Sequence, residues 1–453
     1  MKSNRIFKIV LILSFLFSLK IIFAQSQRAL TEEEAVKMAV ETSKQLRIVE
    51  MKAQGASARA KEMRTYRLPS AKLTAGYTRL SEVPDGEFSI PANAFGPGIP
   101  SRDIVSKVAP AILNSYLLKG TIQYNVFTGM KLESNEKAAR LSEEAAVLDF
   151  SKEKKDIVFN TRTAYWNLFK AIEYNKVVDE NLEQVKAHLK DAQNLYAQGM
   201  ITNNDVLKVQ VQLSNVQLLQ IDAKNAVKLA MVHLNNLIGQ SLDTEIQIVS
   251  KIQNTDRTFS NYDSLLYKGW TNREDVKAME LRIQAGEASV RAAKGSYMPQ
   301  VSLQGNVYYN RPNQRFFPAE DAFKYTWDVG LNATFDLWNW NATAHQVQQA
   351  KAVVEQTKDA LGLIKDGISL EVTQSYLAMQ QAKEKISVTR QTVEQSEESY
   401  RITSEKFKKG VALTTDLLDA EVSVLQAKTA YTNAIVDFEL AQARLQKAIG
   451  QNE

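Results

Sequence analysis

Residues 196–207 read YAQGMITNNDVL, and residues 407–418 read FKKGVALTTDLL. Laid over one another at an offset of 211, they place Tyr196 on Phe407, Gly199 on Gly410, Asp205 on Asp416 and Leu207 on Leu418. The same offset carries residues 127–239 onto 338–450 without a gap, superposing Tyr165 on Tyr376, Ala171 on Ala382 and Gly239 on Gly450. Each quoted stretch has the order that ends one helix and starts another. A glycine can take the left-handed conformation that closes a helix, and an aspartate follows where the next helix has free N–H groups. The chain therefore holds a helical hairpin twice, and a duplicated element of this length decides the architecture.

The tracts on either side of these turns are free of helix breakers. Of nine prolines, none lies between Pro110 and Pro299 and none follows Pro318. Proline costs about 3 kcal/mol inside a helix, so tracts without it that are rich in Ala, Glu, Gln, Lys and Leu read as helix. Long helices are expected over about 130–198 and 340–409, with shorter ones over about 204–238 and 415–449. At 1.5 Å per residue the long ones would reach about 100 Å, beyond the needs of a compact domain. Leu182, Val185, Leu189, Ala192 and Tyr196 are spaced 3-4-3-4, as are Val206, Val209, Leu213 and Val216. Leu417, Ala420, Val424, Ala427 and Tyr431 repeat that spacing, which is the seam of helices packed in a left-handed supercoil.

Four segments alternate instead, over about 71–80, 118–127, 299–309 and 326–336. In the second, Leu118, Ile122, Tyr124 and Val126 oppose Lys119, Thr121, Gln123 and Asn125. In the fourth, Trp327, Val329, Leu331, Ala333 and Phe335 oppose Asp328, Asn332 and Thr334. Runs of about ten residues, apolar on one face and polar on the other, are the pattern of outer-membrane barrel strands. Tyr308, Tyr309, Trp338 and Trp340 flank them as interface aromatics do. Four strands cannot close a barrel, since the smallest have about eight, and an open edge in lipid leaves backbone groups unsatisfied. Three copies would supply twelve strands. The connections over about 81–116 and 310–325 would face the exterior, and residues 240–270 read as a mixed linker around the middle of the helices.

The N-terminus fits export. Lys2, Arg5 and Lys8 precede an apolar run that ends at Ala24-Gln25, the layout of a signal peptide over residues 1–24. Its removal takes away Lys2, Arg5, Lys8 and Lys20, so a formal net charge of +5 becomes +1. The basic balance thus gives no reason to expect nucleic acid. With no cysteine, neither a disulfide framework nor a lipidated N-terminal Cys is available.

The order of short helix, strand, loop, strand, long helix, tight turn and shorter helix, given twice behind a signal peptide, resembles the TolC-type outer-membrane efflux proteins. Residues 407–419 look like that family's periplasmic turn, and Val126-Phe127-Thr128-Gly129 and Phe335-Asp336-Leu337-Trp338 look like its strand-to-helix junctions. The resemblance implies an α+β membrane protein: a homotrimeric twelve-stranded outer-membrane β-barrel continuing into a periplasmic barrel of twelve helices. It implies a passive duct in outer-membrane lipid, served by an inner-membrane pump of RND or ABC type and a periplasmic adaptor (membrane fusion protein). The adaptor would dock on the hairpin tips: Gly199, Met200, Ile201 and Thr202 in one copy, Gly410, Val411, Ala412, Leu413 and Thr414 in the other. By position, Asp416 and Asp419 match acidic rings at the periplasmic entrance, where mutual repulsion and attraction of cations would follow. Asp416 answers equally to a helix cap. The family's closed-state lock joins a tyrosine and an arginine to positions matching Asn204 and Asp205. Here those donors are Phe407 and Ala412, so Asp205 lacks its partner unless Lys408 or Lys409 substitutes.

Nothing else reads as chemistry. His188, His233 and His345 stand isolated on helical stretches without metal-ligand spacing. Tyr165 and Trp166 read as packing residues. Without a phosphate-binding loop or nucleophile elbow, no enzyme, cofactor or metal is expected. The expected function is an exit duct for small molecules such as drugs, metals or other toxic compounds. A channel for type I protein secretion is the alternative within the architecture, and a soluble periplasmic coiled-coil scaffold is the alternative outside it.

Overall fold

The computed structural model describes residues 28–81, 86–91, 104–109, 112–249 and 261–451; the expected signal peptide lies outside them. In chain order the elements are β1 (Arg28–Leu30), α1 (Glu32–Thr42), α2 (Lys44–Thr65), β2 (Ser70–Arg79), β3 (Gly86–Ile90), β4 (Ile104–Ala109), β5 (Asn114–Phe127), α3 (Lys131–Ala197) and α4 (Asn203–Leu237). There follow β6 (Ile246–Ile248), α5 (Tyr262–Asn272), α6 (Glu274–Lys294), β7 (Gln300–Asn310), β8 (Lys324–Thr334), α7 (Ala342–Lys408) and α8 (Thr414–Ala448). The long helices α3 and α7 each have 67 residues, and the shorter α4 and α8 each have 35.

Two offsets relate the copies. Asn203 of α4 maps to Thr414 of α8 at 211, but the starts of α1 and α5 (32 and 262), α2 and α6 (44 and 274) and β2 and β7 (70 and 300) differ by 230. The 19-residue difference falls between β2 and β5, where the first copy inserts an antiparallel β3–β4 hairpin. The stretch expected as a loop over 81–116 therefore carries two strands, and β5 opens at Asn114 rather than 118. Its polar Asn114-Ser115 start hid the alternation from a hydrophobicity reading. The linker expected over 240–270 also differs. Within it β6 pairs in parallel with β1, Leu30 opposite Ile248, and α5 begins at Tyr262, so the second copy starts before residue 271. Three-residue strands and an eleven-residue helix are too short to announce themselves by period.

The chain forms two units. One comprises Met51–Leu148 and Lys277–Gly362 and contains the antiparallel sheet β2-β5-β7-β8. Lys72, Thr121, Asn306 and Asp328 stand opposite one another across its four strands, as do Leu73, Gly120, Val307 and Trp327 one residue along. Side chains alternate, so the first row lies on a polar face and the second on an apolar one. Large apolar residues of that second face are exposed: Leu73, Ile122, Val307, Trp327, Val329 and Leu331. β2 and β8 are the sheet's edges.

The other unit comprises the described residues of 28–50, 149–276 and 363–451. Tyr165, Trp166, Leu168 and Phe169 of α3 pack there with Leu30, Ala35, Ala39, Leu234, Ile238, Ile246 and Val436. Tyr165 donates its hydroxyl to the Leu30 carbonyl at 3.1 Å, and the Trp166 indole N–H donates to Glu32 at 3.2 Å. Each such aromatic, when buried, is worth about 2–3 kcal/mol, and the polar atoms fix the short β1, through Leu30, and the start of α1, through Glu32, to the long helix.

Candidate functional site

The two hairpin turns share their backbone geometry. Gly199 has φ +72° and Gly410 has φ +68°, in the left-handed region that glycine occupies without steric cost. In both copies the residue after the glycine reaches back five positions. Met200 N–H donates to the Leu195 carbonyl and Val411 N–H to the Lys406 carbonyl, each at 2.9 Å, the bond that closes a Schellman motif.

Their second halves diverge. In the first copy Thr202 and Asp205 cap α4 reciprocally: Asp205 N–H donates to Thr202 Oγ1 at 3.3 Å, and Asp205 Oδ2 accepts from Thr202 N–H at 3.1 Å and from its hydroxyl at 2.6 Å. Lys208 adds a contact at 3.5 Å. Hydrogen bonds from the Thr202 side chain and then its backbone, with Lys208 behind them, hold the Asp205 carboxyl below the usual range. In the second copy Leu413 stands where Thr202 does and offers no oxygen. Asp416 accepts one bond, from Leu413 N–H at 3.3 Å. The Asp419 carboxylate makes no hydrogen bond or ion pair among the described residues, and both aspartates are exposed. Asp416 thus caps α8 weakly and keeps acceptor capacity free, while Asp419 keeps all of it.

Phe407 is buried in an apolar cluster that joins both hairpins, with Leu182, Val185, Ala192 and Leu195 of α3, Val206, Val209 and Val216 of α4, and Leu417 of α8. Asp205 is held by its own turn. Lys408 lies 3.9 Å from Glu405 one turn back, and Lys409 has no ion pair among the described residues. At the outermost point Met200 of one turn lies over Gly410 of the other, where an added Cβ would meet its methyl carbon at 2.5 Å. Met200, Val411 and Leu413 are exposed. Ile201, Ala412 and Thr414 are partly or fully covered.

A polar link between the hairpins escaped the sequence reading. His188, expected to be isolated, is 4% exposed, and its Nδ1 contacts Oε1 of the fully buried Glu421. Its Nε2 lies 3.2 Å from the Tyr400 hydroxyl, so α3, α7 and α8 meet in one network. An imidazole protonated at Nδ1 donates to the carboxylate and accepts from the phenol. Burial, and then the Glu421 charge, push the Tyr400 phenol up to about 12. The signal in the sequence was Glu421 itself, a carboxylate on the seam between Leu417 and Val424. Buried carboxylates have partners, and only a residue distant in sequence could supply one. His233 and His345 are exposed.

The sequence model of the outer membrane efflux protein family matches residues 35–240 and 265–451. The chain belongs to that family. The two matched blocks start 230 residues apart and end 211 apart, which are the two offsets of the fold. Outer membrane protein TolC of Escherichia coli (strain K12) is 19% identical over 325 residues, covering 69% of this chain and 66% of that protein. Outer membrane efflux protein BepC of Brucella suis is 20% identical over 375 residues, covering 82% and 80%. The open state of the Neisseria gonorrhoeae MtrE outer membrane channel superposes with a TM-score of 0.76 at 18% identity, covering 93% of this chain and 89% of that one. This efflux family thus accounts for the fold and the duplication. It places the protein in the outer membrane with its helical hairpins in the periplasm, among channel proteins rather than enzymes.

Proposed function

We propose that three copies of this chain close a twelve-stranded duct through the outer membrane, through which small molecules leave the periplasm passively. The observation that carries this reading is the four-stranded sheet with its two unpaired edges and exposed apolar face. Such a sheet is stable in lipid only if β8 of one copy pairs with β2 of the next. Two copies would give eight strands, whose interior side chains fill, whereas twelve leave a passage for solutes. In the same assembly, six hairpins would surround one axis, and their exposed Met200, Val411 and Leu413 offer apolar contacts to a periplasmic adaptor that brings the pump. Asp416 and Asp419 would form acidic rings at that end. The exposed apolar sheet face weighs against a soluble scaffold.

The test is to purify the mature protein from outer membranes, determine its native mass in detergent and record conductance in planar bilayers. A trimer with discrete conductance steps is expected. A soluble periplasmic monomer would exclude the duct.

A further inference from the structure

The connection between β7 and β8 is folded back onto the sheet rather than extended from it. Asn313, only 2% exposed, pins it: its amide donates to the Lys324 carbonyl at 3.0 Å and to Thr326 Oγ1 at 3.1 Å, and its carbonyl accepts from Arg315 N–H at 3.0 Å. The fold-back delivers the Arg315 guanidinium to the polar face. There it donates to the Trp327 carbonyl at 3.1 Å, pairs with Asp328 and lies 4.7 Å from the centre of the Tyr308 ring. The Lys119 ammonium approaches the same ring at 5.3 Å.

Two cations are therefore gathered about one aromatic ring, with a single carboxylate beside them. Asp328 is also engaged by the Asn306 amide at 2.7 Å, and Asn306 in turn accepts from Thr121 at 2.9 Å. Lys72 stands in the same cross-strand row as Asp328. Neither Lys72 nor Lys119 has an ion pair among the described residues. Two further pairs at this end cancel, Arg311 with Asp321 at 2.8 Å and Lys324 with Glu320 at 2.9 Å, and Arg79, which bonds to Asn114, lies on the apolar-face side of β2 with Leu73 and Tyr77. The polar face thus carries Lys72, Lys119 and Arg315 against Asp328, a surplus of two positive charges per copy. Like charges gathered on one face repel one another and attract anions that come near.

We infer that Lys72, Lys119 and Arg315 form a cationic belt at the barrel end of the duct that favours anionic solutes, those bearing carboxylate, phosphate or sulfate groups, over cations. The inference rests on the duct reading above, since only a closed barrel turns the polar face into a lumen. It gives the passage regions of opposite sign, acidic at the hairpin tips and basic within the barrel. Arg315 has the further part of holding the folded-back connection against the wall, which narrows the lumen there.

The test uses the mature protein in planar bilayers under a potassium chloride gradient, read as the chloride-to-potassium permeability ratio from the reversal potential. Because the tip carboxylates act in series, the measurement is made in the native sequence and with Asp416→Asn and Asp419→Asn together. Adding Lys72→Gln, Lys119→Gln and Arg315→Gln should lower the ratio severalfold in both backgrounds. If the Arg315 change prevents insertion, Lys72→Gln with Lys119→Gln, which breaks no ion pair, should lower it in the same direction. Conducting trimers with an unchanged ratio would overturn the belt alone. A native protein that forms no conducting trimer would overturn the duct reading and the belt with it.

Discussion

Replacing His188 with leucine should loosen the two hairpins far more than replacing His188 and Glu421 together. Glu421 is fully buried, its Oε2 is without a partner, and its Oε1 depends on His188. Removing the imidazole leaves that carboxylate without a strong donor in an apolar surrounding, which costs about 3–5 kcal/mol. An exposed pair of the same chemistry would cost at most about 1 kcal/mol. Changing both residues to leucine removes the orphaned charge with its partner and fills similar volume, so the net cost should be within about 1 kcal/mol. The coupling energy of the double-mutant cycle is then about 3 kcal/mol. Amide hydrogen exchange on the detergent-solubilised protein reads this locally, in α3 between Leu182 and Ala192 and in α8 between Leu417 and Val424. His188→Leu should speed exchange there about a hundredfold, since about 1.4 kcal/mol corresponds to a factor of ten, and the double variant should stay near the native rate. Exchange that rises additively, with no recovery in the double variant, would refute the claim that the network ties the hairpins.

At the tips, Gly199→Ala and Gly410→Ala should both cost about 1 kcal/mol for a side chain at positive φ, but Gly410→Ala should cost more because its Cβ meets Met200. Met200→Ala should relieve the excess at 410 only, measured as denaturation midpoints. Asp416→Ala with Asp419→Ala should raise single-channel conductance and weaken block by multivalent cations. Asp205→Ala should instead remove a helix cap, costing about 1 kcal/mol with conductance unchanged. Asp156 is half-buried, and although burial raises its pKa, hydrogen bonds from Lys152 and Lys447, both at 2.7 Å, outweigh it and hold the carboxyl below its ordinary value. Its contribution is therefore present above the unfolded-state value and lost as pH falls through the folded one. Asp156→Asn should flatten the acid limb of the stability profile and lower stability near neutral pH.

What the sequence could disclose followed the length over which a pattern repeats. The helices of 67 and 35 residues were legible because proline is absent and the 3-4 spacing runs for many turns. The sheet was legible because its apolar and polar faces alternate over about ten residues. The β3–β4 hairpin was not, since it lies in a stretch dense with Pro, Gly and Asp whose local reading is turn. The parallel pair of β1 and β6 has three residues a side and joins positions 218 apart, Arg28 with Ile246. The 230 offset was hidden because short α1, α2, α5 and α6 carry little identity, whereas the turn residues that revealed 211 are constrained by conformation. Within the hairpin tips the turn glycines and capping aspartates could be read, because φ and free N–H groups dictate residue type locally. The His188–Glu421–Tyr400 network and the Arg315 fold-back could not, because each joins elements whose register only the folded chain sets.

The central claim is that β8 of one copy pairs with β2 of the next. The chain contains no cysteine, so introduced cysteines have no competitors. Within one copy β5 and β7 separate β2 from β8, a span of about 14 Å at about 4.8 Å per strand, beyond the reach of a disulfide. Leu73→Cys combined in turn with Val329→Cys, Leu331→Cys or Ala333→Cys, oxidised in outer membranes and run on non-reducing gels, tests the pairing directly. At least one combination should give covalent dimers and trimers and nothing larger. Monomer alone from every combination, in protein that has reached the outer membrane, would contradict it.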